Sequence, residues 1–149
     1  MAVMREELIN NREDWPAQDI YLVADKAYQL YQQGHLREAK VLFEGLLAIA
    51  PANRYCRLAL SAVLASMNDL SGALTQLDEW IARDPRDLEA RARRCEVCLR
   101  LDLLERTRED LAVLERSQAS AHIARLRLIH AARHGRSSSP GGSGFSNPG

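Results

Sequence analysis

The stretch Tyr31-Gln32-Gln33-Gly34-His35-Leu36-Arg37-Glu38-Ala39-Lys40-Val41-Leu42-Phe43 decides the fold. Helix formers lead up to Gly34, the residue type that most readily takes the left-handed conformation ending a helix. A second run of helix formers follows and stops before Pro51, because a proline disfavours helical backbone in the residue ahead of it. Thirty-four residues further on the plan recurs, with Asn68 in the place of Gly34, Leu70 of Leu36, Ala73 of Ala39, Ile81 of Leu47 and Pro85 of Pro51.

A 34-residue period with a turn residue, a small residue at the helix crossing and a closing proline resembles the tetratricopeptide (TPR) helix-turn-helix repeat. The expected fold is all-α: a TPR helical solenoid of three helix-turn-helix repeats with an N-terminal helix and a C-terminal capping helix. The expected organisation is an N-terminal helix and linker over residues 1–16 and a solenoid over 17–134. Its repeats fall at about 20–53, 54–87 and 88–121, and a disordered tail covers 135–149.

Working outward, repeat one pairs a helix near residues 18–33 with one over Leu36–Ile49, in which Ala39, Phe43, Leu42, Leu46, Leu47 and Ile49 form an apolar stripe. Repeat two carries Leu58, Leu60, Val63 and Leu64, then Ala73, Leu74, Leu77, Trp80 and Ile81 before Asp84-Pro85. Its turn residue Asn68 tolerates left-handed backbone next best after glycine. Repeat three has drifted, as terminal repeats do. Asp102 holds its turn, Thr107 replaces the small alanine, Ala119 replaces the proline, and Leu104, Leu111 and Leu114 keep the stripe. A helix over Ser120–His134, with Ile123, Leu126, Leu128 and Ile129, reads as a cap over the open end. After Arg136 the chain turns to serine, glycine and proline, too polar to order itself.

Lysine and arginine balance aspartate and glutamate at 20 each, so no overall attraction draws the chain to nucleic acid or anionic lipid. No apolar run approaches the roughly 20 residues of a membrane span. The start Met1-Ala2-Val3-Met4-Arg5-Glu6-Glu7 lacks the pattern of a signal peptide. Three cysteines without a dense disulfide pattern fit a reducing compartment.

Candidate chemistry is sparse. Cys95-Glu96-Val97-Cys98 matches a C-x-x-C pattern but falls mid-helix at packing positions, whereas a redox pair wants a helix N-terminus that lowers a thiol pKa. A zinc site would need two further ligands, and His130 and His134, four apart, read instead as part of a solvated basic face. No nucleophile-base constellation or phosphate-cradling loop stands out. The expectation is a protein that is not an enzyme and uses no metal or cofactor.

The tyrosines are informative. Tyr21, Tyr28, Tyr31 and Tyr55 all fall on the first helices of repeats one and two. Stacked TPRs line a concave face with first-helix positions, which assigns Tyr21, Ala24, Tyr28, Tyr31, Tyr55, Leu58, Ala62 and Ala65 to a peptide-binding groove. Tyrosine offers large contact area and a hydroxyl at low entropic cost. The lysine and asparagine of a clamp for a C-terminal carboxylate are missing, since Ala24 and Tyr28 hold those positions. Apolar Met4, Leu8, Ile9 and Trp15 are the candidates for self-association into a homodimer.

The layout resembles the TPR chaperones of bacterial type III secretion, the SycD/LcrH-like class. Ala27-Tyr28-Gln29-Leu30-Tyr31-Gln32-Gln33-Gly34, with Glu38-Ala39 and Leu42-Phe43, carries the resemblance, as does Ala92-Arg93-Arg94-Cys95-Glu96-Val97-Cys98-Leu99. Ser61 near a usual glycine and Asp102 at the third turn depart from the pattern, and the related needle-subunit co-chaperones are similar too. The resemblance implies a bacterial cytoplasmic chaperone without ATPase activity. It would hold an extended segment of a secreted translocator in the concave groove until export, with no nucleic acid and no membrane insertion involved. The alternative is a TPR scaffold, or a needle-subunit co-chaperone, forming a stable complex.

Overall fold

The computed structural model describes residues 15–117 and 120–134, apart from the side chains of Ser120, Arg133 and His134. Met4, Leu8, Ile9, Ala119, the expected N-terminal helix and the expected tail lie outside the described residues. Seven helices follow in order among the described residues: α1 (Ala17–Gln32), α2 (Leu36–Ile49), α3 (Arg54–Ser66), α4 (Leu70–Arg83), α5 (Leu88–Arg100), α6 (Leu104–Arg116) and α7 (Ser120–His134). None of them is long and apolar enough to cross a membrane.

Three turns set the repeat. Gly34, Asn68 and Asp102 have φ of 84°, 62° and 58°, and they are the only positive-φ residues described. In each, the next residue's amide reaches back five positions: His35 to the Leu30 carbonyl, Asp69 to Leu64 and Leu103 to Cys98, all at 2.9 Å. This is the Schellman ending, which satisfies carbonyls that the helix leaves open. The other junctions use caps. The Asn53 side chain accepts from the Cys56 amide at 3.0 Å and Asp87 from the Ala90 amide at 3.1 Å, again thirty-four residues apart.

Consecutive helices pack side by side as α1/α2, α3/α4 and α5/α6, and α7 lies against α5 and α6. Ala39, Ala73 and Thr107, one per pair, are buried where a small side chain lets the helices approach. Phe43 and Leu77 fill the space one turn on. One apolar core runs from α1 into α5, and a second gathers Ala92, Cys95, Leu99, Leu114 and Leu126 under α7. Two expected stripe residues are corrected: Leu104 and Leu128 are exposed, because the stripes of α6 and α7 turn on Leu114 and Leu126 instead.

A polar repeat accompanies the apolar one. Arg57 donates to the Pro51 carbonyl at 3.0 Å and to Gln76 at 2.9 Å. Arg91 donates to the Pro85 carbonyl at 2.8 Å and to Asp110 at 3.0 Å. Asp110, wholly buried, also takes Arg94 through two bonds at 2.8 and 2.7 Å. Arg94 and Arg106 both reach Asp78 on α4, tying the third pair to the second.

Candidate binding groove

The first helices of the three pairs face one cavity of about 580 Å³. Its aromatic side is Tyr28 and Tyr31 from α1 with Tyr55 from α3. Leu58, Ala62 and Ala65 of α3 supply small apolar surface between the walls. The far side comes from α5 and is charged: Glu89, Arg93, Glu96 and Arg100, with Val97 between them. Arg54 lines it from the start of α3, and Arg125 reaches it from α7.

The aromatic rings form a chain. Tyr28 lies 6.0 Å from Tyr31 and 6.5 Å from Tyr55 between centroids, and Tyr55 meets buried Phe43 edge-on at 6.4 Å. Phe43 thus anchors the cluster in the core while Tyr28 and Tyr55 stay 39% and 43% exposed. Such tilted contacts hold rings in place without sealing them. Tyr31 is more buried, and its hydroxyl lies 3.3 Å from the Ser66 hydroxyl. Burial, with Tyr28 nearby, pushes the Tyr55 phenol up from its ordinary value, so this ring stays a neutral hydrogen-bonding group.

The charged wall is largely self-paired. Arg54 binds Asp87 at 2.6 Å and Glu89 at 2.9 Å. Those bonds hold the Asp87 carboxyl down at about 2 and lower Glu89 as well, with Arg93 contributing to Glu89. Arg93 pairs with Glu89 at 2.8 Å and Arg125 with Glu96 at 3.1 Å.

Six of the eight residues assigned to the groove from sequence therefore surround one cavity: Tyr28, Tyr31, Tyr55, Leu58, Ala62 and Ala65. Two are corrected. Ala24 is 1% exposed and belongs to the core, because its methyl group is too short to reach past its neighbours to the surface. Tyr21 is 61% exposed but does not line the cavity. Seven residues before Tyr28, it sits about 10 Å further along α1. Trp15 is exposed beside Leu22 at the N-terminal end of α1, in a separate shallow hollow with Pro16, Asp19 and Val23. The arginines and glutamates of α5 that line the cavity carry no groove assignment from the sequence. The signal was there in their first-helix positions in the third repeat.

The cysteines do not form a site. Cys56, Cys95 and Cys98 are buried and free, and burial pushes Cys56 up to about 11 and Cys95 up to about 12, with Cys98 raised too. Such thiols are inert packing groups. Among the described residues no cluster of potential ligands could hold a metal ion.

Paired helices whose first members share a concave wall define the class: an all-α helical-repeat solenoid of the TPR type. Residues 30–94 match the tetratricopeptide repeat family model. The first TPR of Spaghetti (RPAP3) bound to the HSP90 peptide SRMEEVD is similar in structure, with a TM-score of 0.68 at 20% identity over 80% of this chain and 96% of that one. The type III secretion translocator chaperone SycD of Yersinia enterocolitica, in an alternative dimer, is similar with a TM-score of 0.67 at 15% identity over 81% of this chain and 98% of that one. No curated protein sequence is matched. Likenesses at this identity speak for the fold.

Proposed function

We propose that the chain is a non-catalytic binding protein that holds an extended segment of a partner polypeptide in its concave groove. In the finer form of this reading, the partner is a secreted translocator of a bacterial type III system, kept soluble in the cytoplasm before export. The observation that carries the reading is the half-exposed Tyr28–Tyr55 pair above the apolar surface of Leu58, Ala62 and Ala65. A cavity of about 580 Å³ falls in the range of built ligand sites and has room for a few side chains. Each large apolar side chain buried there contributes roughly 1.5–3 kcal/mol. A few together outweigh the ordering of an extended segment, without nucleotide and with ready release. The solved structure of similar shape that is itself a translocator chaperone supports the finer form.

The test is co-expression with hydrophobic secreted proteins encoded beside it. A client that becomes soluble with the native chain, and returns to the insoluble fraction with Tyr28→Ala and Tyr55→Ala combined, supports the reading. A client rescued equally by the double variant defeats it. A partner that stays bound permanently and is never exported points to a stable scaffold instead.

A further inference from the structure

We propose that Arg100 makes the groove selective for a carboxylate on the segment it binds, placed beside an apolar side chain held by the tyrosines; this rests on the groove reading above. Four arginines line the cavity. Arg54, Arg93 and Arg125 each have a carboxylate partner, at 2.6, 2.8 and 3.1 Å. Arg100 has none among the described residues. Its one hydrogen bond runs from Nη2 to the Ala65 carbonyl at 3.3 Å.

A guanidinium carries five N–H donors, so most of this one is left open toward the cavity it lines. It is half-buried, where an incoming carboxylate is held more strongly than at the fully exposed surface. Arg100 stands in the last turn of α5, where a cation favours the helix dipole. That alone does not explain its placement, because its side chain reaches across to the end of α3 rather than to its own open carbonyls.

The neighbourhood sets the rest of the specificity. Ala65 holds Arg100, and the next residue, Ser66, meets the Tyr31 hydroxyl. The cationic donor and the aromatic cluster therefore converge at the C-terminal end of α3. In an extended chain, side chains two positions apart share a face at about 7 Å. A segment with aspartate or glutamate near leucine or an aromatic residue presents both groups to this wall. Arginine recognises such a carboxylate with a planar fork that lysine lacks.

The test selects binders for the full chain from a random peptide library with blocked C-termini, and in parallel from one with free C-termini. The expected pools are enriched in acidic residues two positions from leucine or aromatic ones. Affinity of selected peptides should fall about tenfold with Arg100→Gln, as for loss of a charged hydrogen bond. Replacing the peptide's acidic residue by its amide should cost the same, and the two changes together no more than either alone. Arg100→Lys should retain part of the affinity. If only free-C-terminus peptides respond to Arg100→Gln, the carboxylate is a chain end, and the charge selectivity stands. Peptides that need Tyr28 and Tyr55 but show no acidic bias, or ignore Arg100→Gln, overturn this inference and leave the groove. No peptide dependent on the tyrosines overturns both.

Discussion

Arg57 and Arg91 stand thirty-four residues apart and make the same pair of contacts, each to the carbonyl of the preceding closing proline and to a polar side chain on the next helix. At this position the neutral amide of Gln76 gives way to the carboxylate of Asp110, which also gathers Arg94, while Arg57 finds its own carboxylate in the exposed Glu79 at 2.5 Å. Removing a buried charge that holds two arginines is far costlier than removing a neutral acceptor. Asp110→Ala should lower stability by about 3–5 kcal/mol, and Gln76→Ala by about 1 kcal/mol. Urea unfolding followed by far-UV circular dichroism checks both, and equal losses would contradict the assignment.

The turn positions predict opposite signs. A Cβ on Gly34 would meet nothing within 4 Å, so its cost is purely conformational. Gly34→Ala should lose about 1–2 kcal/mol, the cost of left-handed backbone for an ordinary residue. Asn68→Gly should be neutral to stabilising by up to about 1 kcal/mol, since Asn68 holds φ 62° against its preference. A gain from Gly34→Ala would be the wrong sign.

This turn geometry was legible in the sequence because its cause is local. A left-handed residue every thirty-four positions, a small residue at each crossing and a proline or cap at each closure mark the helices by sterics alone. Ala24 and the charged wall were not legible, because their fate is set across helices. Whether an alanine on α1 faces groove or core depends on the approach of its neighbours. Which arginine of the cavity is left without a carboxylate depends on the register of α5 against α3 and α7, since Glu89 takes Arg54 and Arg93 and Glu96 takes Arg125.

Acid should weaken the junction between the second and third pairs. The Asp87 carboxyl accepts from Arg54, Trp80 and the Ala90 amide, and the Arg54 bond does most to hold it down at about 2. Its unfolded value is about 3.9. A lowered folded value means that the stabilisation is complete above the unfolded value and is lost as pH falls toward about 2. The stability gap between the native chain and Asp87→Asn should therefore be constant near neutrality and shrink with acidification below about pH 4. A gap unchanged through that window would contradict the linkage.

The buried thiols should be silent. With Cys95 pushed up to about 12 and Cys56 to about 11, a thiol reagent at mildly alkaline pH should modify none of them in the folded chain and all of them in denaturant. Prompt reaction of the folded chain would return Cys95 and Cys98 to consideration as a redox pair.

The most direct test of the groove is site-specific photo-crosslinking with a co-expressed hydrophobic secreted client. A benzophenone side chain replacing Ala62, which lines the cavity, should capture an extended segment of the client. The same group replacing Val41, exposed on α2 and not part of the cavity, should capture nothing. Capture from position 41 with none from position 62 would contradict the account.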